Sequence, residues 1–99
     1  MVRHIALIKL RSDSPPGAAR AAAQGLESLP AQIDAIRAFS VGTDLGVIAE
    51  DCDLALVADF ASQADYLVYA DHPAHRQVIE ELIEPFLLRR YRGQIEVAG

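Results

Sequence analysis

Apolar positions along this chain switch between a period of two and a period near 3.6, and each switch marks the edge of an element. Residues 2 to 10, VRHIALIKL, alternate, with Val2, His4, Ala6, Ile8 and Leu10 on one face and Arg3, Ile5, Leu7 and Lys9 on the other. Aliphatic side chains hold the centre of both faces, so this strand is expected to be covered on both sides. Turn-like RSDS follows at 11 to 14, and Ser14 before Pro15 places an N-cap and a first-turn proline in their preferred order. Ala19, Ala22, Ala23, Leu26 and Leu29 then recur at helical spacing, with Arg20, Gln24 and Glu27 turned away, until Pro30 helps to end the helix. Gly25 inside it costs roughly 1 kcal/mol of helix propensity relative to alanine, for no reason visible in the sequence.

A second strand is read over 36 to 42, IRAFSVG, with Arg37, Phe39 and Val41 on one side and Ile36, Ala38 and Ser40 on the other. The acidic segment 43 to 53, with Gly46 inside it, reads as a hairpin loop. Residues 53 to 60, DLALVADF, form the clearest strand, with Leu54, Leu56, Ala58 and Phe60 on one face and Ala55 and Val57 central on the other. Ser62 and Asp65 then resemble a capping box. The helix they open must stop before Pro73, which restrains the residue ahead of it and is suited to begin a further helix with His72 as its cap. In that helix His75, Val78, Ile79, Leu82, Ile83 and Phe86 share one face, and Arg76, Gln77, Glu80, Glu81 and Glu84 share the other. Pro85 marks the exit, and 87 to 97, LLRRYRGQIEV, supplies a fourth strand.

The order is βαββαβ with the second helical element broken in two, an α+β, ferredoxin-like arrangement with a four-stranded antiparallel sheet in one domain spanning residues 1–99. Helices cover one sheet face. The other is read as carrying Ile5, Leu7, Phe39, Val41, Ala55 and Val57, and nothing remains in the chain to cover it. An exposed apolar face of that extent predicts a homodimer, sheet against sheet.

Composition narrows the partners. The net charge is −5, unlike a general nucleic-acid binder, so no nucleic-acid partner is expected. Although 52% of residues are hydrophobic, no apolar run approaches the roughly 20 residues of a membrane span, and the first ten residues alternate rather than forming a signal-peptide block. A cytoplasmic protein without membrane attachment is expected. The lone Cys52 sits between Asp51 and Asp53, which raise a thiol's pKa, so its role is read as structural. Asp44, Glu50, Asp51 and Asp53 match no calcium-loop spacing and read as a solvated loop. Alternation would split the basic cluster Arg89, Arg90 and Arg92 between two faces, as surface and interface charge.

Chemical character concentrates at 65 to 79, DYLVYADHPAHRQVI, where His72 and His75 lie three residues apart beside Tyr66 and Tyr69. His75 points with the core residues of its helix, and His4 lies on the strand face that helix would cover, so both imidazoles can line one cavity. Ala6, Ala22, Ala58 and Ala70 leave room there. A desolvated, neutral histidine beside Tyr69 suits general-base work, with the phenol polarising a carbonyl. The plainer alternative makes His4 and His75 core histidines, Tyr69 a packed ring and His72 only a cap. A three-histidine zinc site is a weaker reading, because the proline break between His72 and His75 spoils their pairing on one helical turn. No phosphate-binding glycine loop, nicotinamide fingerprint or Ser-His-Asp grouping is present, so no cofactor and no metal are expected.

Histidine at position 4, DLALVADF, the helix start at Ser62 and above all YADHPAHRQV from Tyr69 to Val78 resemble the stress-responsive A/B barrel family, Dabb, over the whole chain. The resemblance implies a ferredoxin-like subunit that dimerises into an α/β barrel. Plant members are associated with stress responses, and a few members are cofactor-free polyketide cyclases that use histidines and tyrosines in a pocket between sheet and helices. By this resemblance His4, Tyr69 and His75 are the candidate catalytic residues, and Leu54, Ala6, Leu56, Tyr66, His72, Val78 and Ile79 are the candidate ligand-binding residues. Where the cyclase has a histidine in its third strand this chain has Leu54, and the cyclase's first-helix tyrosine falls near Leu26, so half of that polar lining is absent.

Three readings compete. The first is a dimer whose apolar, His/Tyr-edged pocket binds a small hydrophobic or aromatic molecule. The second is a cofactor-free acid–base enzyme, a cyclase, isomerase or lyase, using His75, Tyr69 and His4. The third is a purely structural or interaction dimer. A pocket bordered by both His4 and His75 separates the first two from the third.

Overall fold

The computed structural model describes residues 1–48 and 51–99. Glu50 of the acidic loop therefore lies outside the described residues. The strands are β1 (Val2–Leu10), β2 (Ile36–Thr43), β3 (Leu54–Phe60) and β4 (Leu87–Glu96), and the helices are α1 (Ala18–Glu27), α2 (Gln63–Asp71) and α3 (Pro73–Val78). The strands form one antiparallel sheet in the order β2-β3-β1-β4, so the ferredoxin-like topology expected from the pattern is the one observed. Among the described residues no helix is long and apolar enough to cross a membrane.

The helices lie on the face of β1 that carries Val2, His4, Ala6, Ile8 and Leu10, all buried. Leu26, Leu29, Ile33, Leu54, Phe60, Tyr69 and Ile83 are the largest fully buried side chains and form the centre of the core. Gly25 has its reason here. A Cβ on it would stand 2.6 Å from Leu82 Cδ1 and 3.2 Å from Val78 Cγ1, so a residue with no side chain lets α1 approach the chain after Pro73 closely.

Several local expectations change. Helix α1 begins at Ala18, not after Ser14, and Gly17 before it takes a left-handed φ of 84°. Pro15 is itself followed by Pro16, which disfavours a helical conformation for the residue ahead of it. In β2 the face assignment is reversed: Phe39 pairs with Ala58 and Val41 with Leu56, and both pack toward the helices. A register shift between Ile36 and Ala38 inserts an extra residue, so Ile36 and Phe39, three apart, point to the same side. The helix opened by Pro73 is α-helical only to Val78. It widens to a π turn at Ile79–Ile83 and tightens to a 3-10 turn at Glu84–Phe86. Pro85 lacks an N–H and its ring opposes the carbonyl four residues back, so a regular α turn cannot continue through it.

Removing Phe39 and Val41 from the uncovered face leaves Ile5, Leu7, Ala55 and Val57, joined through the β1–β4 register by Tyr91 and Ile95. Leu7 is 41% exposed, Val57 39% and Tyr91 64%. A two-pronged ion pair crosses this face, Arg3 Nε to Asp59 Oδ1 at 2.8 Å and the second guanidinium nitrogen to Oδ2 at 3.0 Å. It holds the Asp59 carboxylate below its ordinary range.

Candidate functional site

The break at Pro73 shapes the site. Ser62 Oγ accepts the Asp65 N–H at 3.1 Å and starts α2, which ends at Asp71 because His72 adopts an extended conformation ahead of the proline. His72 Nδ1 then accepts the Ala74 N–H at 3.0 Å and caps α3. One turn on, His75 Nδ1–H donates to the Ala70 carbonyl of α2 at 3.0 Å, tying the two helices across the break.

That bond fixes the His75 tautomer: with the proton on Nδ1, Nε2 carries a free lone pair. His4 is set the other way. Gln94 Nε2 of β4 donates to His4 Nδ1 at 2.9 Å, so the neutral ring carries its proton on Nε2. The two imidazoles thus have opposite free ends, an acceptor and a donor.

Tyr69 lies between them, only 1% exposed, its ring centroid 4.3 Å from that of His75 and 6.1 Å from that of His4. Phe60 and Phe39 back it at 5.1 and 6.4 Å, and Tyr66 stacks on His4 at 4.9 Å. Burial, with the repulsion of His75 and Arg92, lowers the His4 pKa to about 4. Burial lowers that of His75 too, against the opposing effect of its bond to Ala70. Both rings are therefore neutral at pH 7. Burial raises the pKa of the Tyr69 phenol, which therefore stays protonated at pH 7.

His4, Tyr69 and His75 open on one cleft of about 350 Å³ between the sheet and the α2–α3 segment. This lies within the 300 to 1,000 Å³ usual for small-molecule sites. Its floor is Ala6, Ile8, Leu26, Leu56 and Ile79. Its rim is charged, with Asp71, Arg76, Glu80 and Glu84 on the helical side and Arg90 and Arg92 on the β4 side. Among the described residues no three histidine, cysteine, aspartate or glutamate side chains gather closely enough to hold a metal ion.

The sequence matches the Stress responsive A/B Barrel Domain, Dabb, over residues 2–92. The chain belongs to the Dabb family. A dimeric ferredoxin-like protein of unknown function from Thermobifida fusca YX is similar at 33% identity and TM-score 0.87, over 97% of this chain and 90% of that one. A dimeric protein of unknown function with a ferredoxin-like fold from Bacteroides fragilis NCTC 9343 is 30% identical, TM-score 0.87, over 97% and 95%. Hydroxynitrile lyase from Passiflora edulis, 21% identical with TM-score 0.81 over 98% of this chain and 93% of that one, shares the fold. No curated protein matches significantly.

Of the residues singled out in this Dabb chain, His4, Ala6, Leu56, Tyr66, Tyr69, His75 and Ile79 line the cleft together. Leu54, His72 and Val78 do not. Leu54 is fully buried in the core, Val78 packs toward Gly25, and His72 spends Nδ1 on its cap. Sequence reasoning missed Gln94, Arg90 and Arg92. Alternation put the last two on one face, but only the β1–β4 register shows that this face borders His4. Cys52 is far from this chemistry. Burial and Asp44, whose carboxylate accepts from Sγ at 3.7 Å, push its thiol pKa up.

Proposed function

We propose that this Dabb protein works as a homodimer whose cleft binds a small aromatic or otherwise apolar molecule. One observation carries the reading: two neutral imidazoles of opposite tautomer and a protonated phenol converge on a single cleft with an apolar floor. A cleft bordered by both histidines favours a ligand over a purely structural role. The apolar patch of Ile5, Leu7, Val57, Tyr91 and Ile95 supports the dimer, as does the dimeric state of the relatives from Thermobifida fusca and Bacteroides fragilis. Light scattering behind size exclusion should return twice the chain mass at micromolar concentration; a stable monomer there would remove the dimer from the reading.

The tautomers favour a second reading, cofactor-free acid–base catalysis. His75 Nε2 is free to take a proton from carbon beside a carbonyl, while the His4 Nε2–H and the Tyr69 hydroxyl receive the negative charge that develops on oxygen. A hydroxynitrile lyase in Passiflora edulis uses the same fold, but at 21% identity that likeness concerns fold alone, so this reading rests on the histidines. His75→Ala decides between the two when assayed with small aromatic ketones and their hydroxylated derivatives. Retained binding with turnover lost assigns an enzyme. Binding lost in the variant, with no turnover in the parent, assigns a binder.

A further inference from the structure

Alternation along β4 sends Arg90, Arg92 and Gln94 to the helix side of the sheet and Arg89, Tyr91 and Ile95 to the other. The register sets Arg90 opposite Ile8, Arg92 opposite Ala6 and Gln94 opposite His4. Ile8 and Ala6 are cleft floor, and directly opposed residues of an antiparallel pair stand about 5 Å apart at Cβ. Two guanidinium groups therefore follow one edge of an apolar floor, with His4 at its end.

Helix-facing strand positions are ordinarily apolar, whereas here a half-buried Arg90 and an exposed Arg92 stand side by side at the cleft's edge and repel each other. Among the described residues, neither Arg90 nor Arg92 takes part in an ion pair. The acidic groups of the rim, Asp71, Glu80 and Glu84, come from the opposite, helical wall together with Arg76. Burial and the charge of Arg92 pull the Arg90 guanidinium below its ordinary value, while Glu84 acts in the opposite sense without bonding to it. An oxyanion held between the two arginines would remove this mutual repulsion. Guanidinium groups suit that task because their planar N–H forks match the two oxygens of a carboxylate.

We propose that Arg90 and Arg92 form an anion-binding end of the cleft, and that its ligand is a small amphiphilic carboxylate with its apolar body on Ala6, Ile8, Leu26, Leu56 and Ile79. The proposal rests on the cleft being a ligand site and adds the ligand's class. It also orients the ligand: the carboxylate lies against β4, and the carbon skeleton extends past His4 toward Tyr69 and His75.

The test is calorimetric and NMR titration with 2-naphthoate and its neutral isostere 2-naphthamide at low ionic strength. The proteins are the parent chain, Arg90→Gln, Arg92→Gln, the double variant, and Arg20→Gln on the exposed side of α1 as control. Naphthoate is expected to bind at least tenfold more tightly than the amide. Each single variant should weaken naphthoate by about tenfold to a hundredfold, the range for a hydrogen bond to a charged group. The double variant should bind both compounds equally while keeping the parent's affinity for the amide, which also shows that it is folded. Equal affinities in the parent chain, or a preference that survives in the double variant, would overturn the anion-binding end and leave the ligand site standing on the amide's binding. Tighter binding of 2-naphthyl phosphate than of naphthoate would overturn the carboxylate class. Failure of both naphthalene compounds to bind would overturn the ligand site and the proposal together.

Discussion

The same sheet and the same helices make two different halves. Over β2 and β3, Leu29, Ile33, Leu54 and Phe60 meet without remaining exposure, and the layer is dry. Over β1 and β4 the helix-facing residues come to include His4, Arg90, Arg92 and Gln94, and the layer opens into the cleft. The helices still bring Leu26 and Ile79 to the cleft floor, but Asp71, Arg76, Glu80 and Glu84 stand at its rim. The facing strand is charged as well. A core closes only where both surfaces are apolar, and β4 presents guanidinium and amide groups that must keep access to water or a partner. The site is where the apolar pattern of one layer runs past that of the other.

The contrast can be broken from its strong side first. Leu29→Ala empties a fully buried position in the dry half and should cost about 2 to 5 kcal/mol in denaturant unfolding while leaving the cleft's ligand affinity unchanged. Gly25→Val, at the seam between α1 and Val78 and Leu82, should cost about 1 to 3 kcal/mol, because the added methyls have no space. A cost near zero would show that the helices are not held as closely as described.

The open half is expected to be sensitive to pH rather than to volume. His4 has a folded-state pKa of about 4, below its ordinary value of 6.5, and it faces His75, Arg92, Tyr66 and Gln94. Between these values the unfolded chain binds a proton that the folded chain refuses. Stability should therefore fall as pH drops from 6.5 toward 4 and level off below, by roughly 1 to 2 kcal/mol allowing for solvent at the cleft mouth. His4→Gln should flatten most of that slope, and an unchanged slope would assign it to His75, whose pKa burial also lowers, or to the carboxylates. Smallest is Arg90→Gln, expected to change stability by less than about 0.5 kcal/mol, since the arginine stands at an open edge.

The two halves also differ in how far the sequence discloses them. Alternation in VRHIALIKL sufficed to place His4 beneath the helices, and the proline at 73 sufficed to make His72 a cap and turn His75 inward, because period and breaker are local properties. The rest is set by pairing between distant segments. Arg90 and Arg92 acquire meaning only through register with Ile8 and Ala6, and Gly25 only through Val78 and Leu82. The extra residue in β2 that turns Phe39 inward carries no glycine or proline to announce it. Leu54, a candidate ligand contact by resemblance, belongs to the dry half because β3 lies beyond the cleft's edge there.

The central claim is that β4 and the α2–α3 break hold His4 and His75 as neutral imidazoles of opposite tautomer facing one cleft. Long-range proton–nitrogen NMR of the histidine side chains at pH 7 reads this directly, with His72 as a reference outside the cleft. The expected spectrum shows His4 protonated on Nε2 and His75 on Nδ1, with both rings, and not His72, shifting when 2-naphthoate is added. Two rings of the same tautomer, either ring doubly protonated at pH 7, or cleft histidines that move no more than His72 would contradict it.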